Sequence, residues 1–167
     1  MTSPPLDRGK RPRTILAGPY GHPFHPVLVT VPIGAWVASF VFDLAAMLSD
    51  DEAVFAEGAY WLIALGIVGA LLAAIFGLLD LLAIPRGTRT FQTGLTHMTL
   101  NLIVVALFVI DFAVRRAGGY EEVNTIGVVL SLVALALLGA SGWLGGKLAY
   151  HYGVRVADED TQRQGFE

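Results

Sequence analysis

Four long apolar runs, separated by short polar segments, dominate the sequence. They extend over residues 26–48, 59–84, 94–114 and 125–150. Each has about 20 residues or more, which at about 1.5 Å per residue is enough to cross a hydrocarbon core about 30 Å thick. Strands of a membrane barrel would alternate apolar and polar residues over about 10 positions, and these runs do not alternate. The pattern therefore predicts an all-α fold, an integral membrane four-helix bundle.

The segments outside the runs predict two tails. Residues 1–21 are polar, basic and rich in Pro and Gly, which is typical of a disordered tail. Residues 22–156 form the predicted transmembrane domain, and residues 157–167 form a polar tail. A cleaved signal peptide is a poor interpretation of the first run, because the run begins late, is long and contains Asp43.

Composition supports the membrane interpretation and excludes several classes of site. Of the 167 residues, 54% are hydrophobic and 15% are charged, whereas a soluble domain carries roughly 25% charged residues. The net charge of −3 provides no basic field, so nucleic acid is excluded as a partner. The chain has no Cys, which excludes disulfides, thiolate metal sites and iron–sulfur ligation. No nucleotide-binding, zinc-protease or nucleophile-elbow motif identifies an enzyme.

The charges in the loops predict an orientation. The first loop is acidic, whereas basic residues lie before the first run, in the second loop and after the fourth run: Arg8, Lys10, Arg11, Arg13, Arg86, Arg89, Lys147 and Arg155. By the positive-inside rule, both termini are expected on the cytoplasmic side of the inner (plasma) membrane.

Polar side chains inside the apolar runs are the candidate functional residues, because an ionisable group costs at least ~2.5–3.5 kcal/mol to insert. The set is His22, His25, Asp43, Asp80, His97, Asn101, Asp111 and His151. On the predicted topology, the four histidines and Asp80 lie at the cytoplasmic face. Asp43 and Asp111 lie in the outer halves of their helices instead.

The segment 22–26, His-Pro-Phe-His-Pro, holds two imidazoles close together with little backbone freedom. Neutral imidazole is a common ligand of metal ions and haem iron. We therefore consider His22, His25 and His97 as cofactor-binding residues, with Asp80 as a further metal ligand. The bound group would be haem b or a divalent metal ion. The alternative for this segment is an interfacial turn whose histidines contact lipid headgroups.

The third run carries a polar stripe. His97 and Asn101 are one turn apart and share a face, and Asp111 lies about 40° from His97 around the helix at ~100° per residue. The stripe is either a ligand histidine with an orienting amide or a hydrogen-bonded clamp between helices. Asp111 has a structural partner in Arg115, one turn further on.

The remaining polar residues have structural alternatives as well. Asp80 would pair with Arg86 or Arg89 at the membrane interface. Asp43 has no local basic partner, so it must find one across the bundle or carry a proton. His151 is expected to be solvated at the interface.

Small residues one turn apart occur in the second and fourth runs: Gly66 with Ala70, Ala73 with Gly77, Ser141 with Gly145, and Gly142 with Gly146. Such spacing lets helix backbones approach closely. It serves either packing within the bundle or a homodimer, and the motif does not separate the two.

Several sequence blocks follow one another in a distinctive order. They are H-P-x-H-P at 22–26, P-I-G-A-W at 32–36 followed by Asp43, G-x-x-D at 77–80, G-x-x-H-x-x-x-N at 94–101, G-G-x-L-x-Y at 145–150 and G-V-x-V at 153–156. Over residues 21–156 the chain resembles the uncharacterised bacterial membrane family called domain of unknown function 2231. The resemblance implies a four-helix membrane protein and brings no established activity. Some relatives resemble fusions to Rieske or cytochrome-type modules, which suggests a membrane redox partner.

Three functions remain open. The first is a membrane protein that binds haem or a metal ion through the cytoplasmic histidines. The second is a non-enzymatic structural or partner-binding protein, in which the polar residues clamp the bundle. The third is a proton or ion pathway from the cytoplasmic cluster to Asp43 and Asp111.

Overall fold

The computed structural model describes residues 9–10, 18 and 23–166, and within these residues it is all-helical, without a strand. Four long helices account for most of this part of the chain: α1 (Phe24–Leu48), α2 (Glu52–Ala83), α3 (Arg89–Gly118) and α4 (Thr125–His151). Each is long and apolar enough to cross a membrane. A short helix, α5 (Glu159–Gln164), follows in the C-terminal tail. The predicted all-α four-helix architecture is confirmed, whereas most of the predicted N-terminal tail lies outside the described residues.

α2 and α3 extend beyond the apolar runs, and polar side chains cap the N-termini of α3 and α4. The Thr88 hydroxyl accepts a hydrogen bond from the backbone N–H of Phe91 at 3.1 Å, so α3 begins well before residue 94. The Asn124 side chain caps α4 in the same way, accepting from Gly127 at 3.0 Å. α2 begins at Glu52 rather than near residue 59.

α1 is interrupted by a turn at Val29, between helical segments Phe24–Leu28 and Thr30–Leu48. Pro32 explains the interruption, because it has no N–H to donate to the carbonyl four residues earlier and its ring crowds that carbonyl. Hydrogen bonds from Val29 N to His25 O and from Ile33 N to Val29 O connect the two segments across the turn. The first segment therefore keeps His25 at the end of the bundle.

The bundle consists of two hairpins. α1 packs mainly on α2, and α3 packs mainly on α4. Fewer contacts join α2 to α3 and α1 to α4. α1 and α3 lie diagonally across the bundle and meet through large side chains, chiefly Trp36 and Phe108, whose rings stack with centroids 4.2 Å apart. A Cβ on Gly66 would overlap the Trp36 indole, so this glycine provides the space that the indole occupies.

The outer faces of the helices are apolar. Large side chains such as Leu65, Val68, Ile75 and Leu132 are each more than half exposed. A water-soluble protein of this size rarely exposes apolar surface continuously along every helix. The exposed faces therefore fit a lipid environment.

The two hairpins repeat each other's contacts at constant offsets in sequence. In three pairs the two residues are 72 positions apart and contact each other: His25 with His97, Trp36 with Phe108, and Asp43 with Arg115. On α2 and α4 the residues that pack on these pairs correspond at an offset of 68, as Ala73 does to Ser141 and Gly77 to Gly145. Corresponding residues can contact each other only near a two-fold axis that relates the hairpins. An approximate two-fold axis therefore runs between α1 and α3.

Candidate functional site

His25 reaches from the first turn of α1 to α2. Its Nδ1 lies 3.0 Å from the carbonyl oxygen of Ala73. Because a carbonyl oxygen can only accept, Nδ1 is the donor, and in the neutral ring Nε2 then keeps its lone pair. The ring lies against Gly77, where a Cβ would be 2.9 Å from the imidazole Cε1. The carbonyl thus fixes the imidazole orientation, and the glycine makes room for the ring.

His97 on α3 repeats this arrangement against α4. Its Nδ1 lies 2.8 Å from the carbonyl oxygen of Ser141, and its ring lies against Gly145, where a Cβ would be 3.2 Å from Cε1. Asn101 adds a bond between the two helices, because its Nδ2 donates to the Ser141 hydroxyl at 2.8 Å. The same amide nitrogen is 3.2 Å from the His97 Nε2. Asn101 is therefore both a helix clamp and a neighbour of the imidazole.

The two imidazoles face each other across the approximate two-fold axis. Their ring centroids are 6.4 Å apart and their planes are nearly perpendicular, at 88°. Two imidazoles that bind one ion from opposite sides, with metal–nitrogen bonds of about 2.0–2.1 Å, have centroids roughly 6–6.5 Å apart. The rings of His25 and His97 are therefore edge-to-face neighbours whose centroid separation falls within this range.

Asp80, the other predicted ligand that the structure describes, does not join this pair. Among the described residues, no three His, Asp or Glu side chains form a group that could hold a metal ion. Asp80 pairs with Arg155, with 2.8 Å between its Oδ1 and the arginine Nε. His151 is exposed on the last turn of α4. His22 lies outside the described residues.

Arg155 is the partner of Asp80 that sequence reasoning missed, in place of Arg86 or Arg89. Its backbone is left-handed, with φ of 61°, which costs roughly 1–2 kcal/mol for a residue with a Cβ. Its backbone N–H donates to Gly9 at 2.9 Å, and its side chain is 5% exposed. The turn after α4, where Gly153 also has a positive φ of 68°, thus directs the guanidinium back into the bundle.

The opposite half of the bundle contains a buried network around Arg115. Its Nη1 and Nη2 donate to the two carboxylate oxygens of Asp43 at 2.6 and 2.8 Å. Its Nε donates to Oδ1 of Asp111 at 2.7 Å, and the Ser131 Oγ lies 2.7 Å from Oδ2 of Asp111. The two aspartates and the serine have no exposed surface, and Arg115 is 2% exposed. The predicted pairing of Asp111 with Arg115 is confirmed, and Asp43 finds its partner across the bundle.

Space for this network depends on Gly127 of α4. A Cβ at that position would be 2.6 Å from Oδ1 of Asp111 and 2.8 Å from Nε of Arg115. Between the network and the histidine pair lies the apolar layer around Trp36 and Phe108, packed with Ile63, Val104 and Ala134. The two polar groups of the bundle are therefore separated by a layer of apolar side chains.

A family model described as predicted membrane protein, DUF2231, matches residues 21–158. The chain belongs to this family. The DUF2231 match covers all four long helices, so the chain is an integral membrane protein whose helices lie in a lipid bilayer. It also extends past α4 to include Arg155. No curated protein and no solved structure matches the chain.

Proposed function

We propose that this membrane protein binds one metal centre, a haem b iron or a single metal ion, through Nε2 of His25 and Nε2 of His97. The observation that carries the proposal is the repeated anchoring of the two rings. Each Nδ1 is bonded to a backbone carbonyl of the neighbouring helix. Such a bond fixes the tautomer and orients the other ring nitrogen as a ligand, as backbone carbonyls that accept from a ligating histidine do in metal sites.

The separation of the rings favours one group held between them. At 6.4 Å between centroids, His25 and His97 would together hold a haem iron or a single metal ion, which would supply redox chemistry at this end of the bundle. A tetrahedral site needs further protein ligands, and the described residues supply no third His, Asp or Glu. We therefore favour a two-histidine centre over the four-ligand site that includes Asp80.

Purification of the full chain in a mild detergent tests the proposal. Wild-type protein expressed with adequate haem and metal is expected to show either a haem Soret band or a metal ion in a 1:1 ratio. His25→Ala and His97→Ala should each remove the bound group, because one histidine alone would hold it weakly.

His151→Ala is the matched control, since this histidine is exposed on the last turn of α4. It should retain the full absorbance or metal content. Wild-type protein with neither a Soret band nor a stoichiometric metal would show that the proposal is wrong.

A structural role is the second candidate, and the hydrogen bonding of the polar groups favours it. Asn101 bonds Ser141 across α3 and α4, and Arg115 joins α1 to α3 through two hydrogen bonds to Asp43. In that case His25→Ala and His97→Ala lower the thermal stability without removing any bound species. Measuring stability and bound cofactor on the same preparations separates the two functions.

We further propose that both termini are cytoplasmic and that the protein binds a membrane redox partner or a second copy of itself. Cytoplasmic termini in the plasma membrane would place the histidine pair near the cytoplasm, where a membrane redox partner could reach it. A homodimer through small residues would use the face of Gly142, where an added Cβ would meet no atom within 4 Å. Gly66, Gly77 and Gly145 instead pack on side chains within the bundle. A proton pathway is disfavoured by the apolar layer around Trp36 and Phe108.

A further inference from the structure

The network around Arg115 has more acidic than basic groups. It contains two carboxyl groups, Asp43 on α1 and Asp111 on α3, and one guanidinium. α4 contributes Ser131, which is neutral. On α2, the buried titratable side chain Tyr60 stacks on Phe112 and Tyr120. With both carboxyl groups ionised, the network as described would carry a net charge of −1.

An uncompensated charge is strongly disfavoured here. Both aspartates have no exposed surface, and they lie within helices that cross a bilayer. A buried ion without a partner usually becomes neutral instead of remaining charged. The network therefore needs one more positive charge, and within the described residues Arg115 is the one cation that contacts it.

The hydrogen bonds of the network leave one carboxylate oxygen on which a proton can be placed. Both oxygens of Asp43 and Oδ1 of Asp111 accept from Arg115 nitrogens, which can only donate. Oδ2 of Asp111 faces the Ser131 hydroxyl at 2.7 Å, and a hydroxyl can accept as well as donate. A proton on any of the other three oxygens would meet a donor.

We propose that this network is a buried proton-binding site in which Asp111 carries the proton on Oδ2 and, through it, donates a hydrogen bond to the Ser131 hydroxyl oxygen. Binding converts the Asp111 carboxylate to a carboxylic acid with a proton from the solvent. The net charge of the network changes from −1 to 0. Asp43 remains ionised and forms the two-bond pair with Arg115.

Infrared spectroscopy of the full chain in lipid tests the proposal directly. At neutral pH, wild-type protein is expected to show the carbonyl stretch of a protonated carboxylic acid. Asp111→Asn should remove this band. Asp43→Asn should remove it too, because Asp111 then balances Arg115 as a carboxylate. Ser131→Ala should shift the band, because the acid loses its hydrogen-bond acceptor.

Asp80→Asn is the matched control, since Asp80 is a largely buried carboxylate with its own arginine partner. It should leave the band unchanged. Absence of the band from wild-type protein, or its persistence in Asp111→Asn, would overturn the proposal.

Thermal unfolding provides a second measurement that needs no band assignment. Asn resembles the neutral acid in shape, and its amide can donate to Ser131 while its oxygen accepts from Arg115. The unfolding midpoint of Asp111→Asn should therefore remain close to wild type. Asp43→Asn should lower it, because the amide nitrogen, which can only donate, would face an Arg115 nitrogen in place of a carboxylate oxygen.

Equal losses in the two variants would mean that Asp111 is ionised. A wild-type midpoint that rises with sodium or potassium, compared at constant ionic strength with a large organic cation, would mean that a metal cation balances the charge. Either result contradicts the proposal.

Discussion

At the scale of single residues, glycines decide where the large side chains of this bundle lie. The absence of a Cβ at Gly66 leaves space for the Trp36 indole. Gly77 and Gly145 leave space for the two imidazoles in the same way. The sequence showed these positions as small residues one turn apart, without showing which side chain each would receive. That assignment depends on which helix faces which, and a small-residue motif does not contain this information.

Gly66→Ala is expected to destabilise the protein by about 1–3 kcal/mol, because the added methyl group overpacks a filled core. Gly139→Ala is the matched control on α4, where a Cβ meets nothing within 4 Å, and it should be neutral or stabilise by up to about 1 kcal/mol. Reversible unfolding in mixed detergent measures both. Equal effects of the two substitutions would show that the indole does not fill the space beside Gly66.

At the scale of elements, the four spans are predictable because a segment that crosses a bilayer must be long and apolar and must satisfy its backbone hydrogen bonds internally. The pair of Asp111 and Arg115 is predictable as well, because residues four apart on one helix are neighbours. The pair of Asp43 and Arg115 is not, since it requires knowing that α1 and α3 meet diagonally. Arg155 was missed because it follows the last span, and the left-handed turn that returns it to Asp80 has no signal in hydropathy.

Arg155 ties the segment after α4 to α2. Arg155→Gln leaves Asp80 largely buried without its partner, which is expected to cost about 3–5 kcal/mol. The double substitution Asp80→Asn with Arg155→Gln should recover much of this loss, because no unpaired charge remains. Unfolding midpoints of the single and double variants measure the recovery.

Arg163→Gln is the comparison for an exposed pair. Its partner Asp160 is 3.8 Å away and both side chains are mostly exposed, so the loss should be at most about 1 kcal/mol. A loss as large as that of Arg155→Gln would contradict the distinction between the two pairs.

At the scale of the whole molecule, the distribution of loop charges predicts the orientation of the helices in the membrane. Labelling of introduced cysteines can test it, because the chain has no Cys of its own that would react. Single cysteines replacing the exposed Asp50 and Glu121 should react with a membrane-impermeant maleimide added to intact cells. Cysteines replacing the exposed Arg86 and Thr161 should react only after the membrane is opened. The reverse pattern would place both termini outside.

The sequence also contains a weak signal of the repeat of the two hairpins. At an offset of 72, α1 and α3 share His25 with His97, Leu28 with Leu100, Val37 with Val109 and Phe40 with Phe112. The identities are sparse, because lipid-facing positions accept almost any apolar residue. The contacts across the axis make the repeat evident, and they place both proposed ligands at equivalent positions.

The approximate two-fold axis separates contacts that two identical hairpins could form from contacts that need two different hairpins. In a dimer of identical hairpins, each position on the axis would hold the same residue from both copies. Two histidines meet that condition, as His25 and His97 do, whereas two aspartates or two arginines at the position of Asp43 and Arg115 would repel each other. A single chain is free of the condition, because its two halves carry different residues. The buried acid–base pair is therefore a contact that this fold can form only as one chain with two unlike halves.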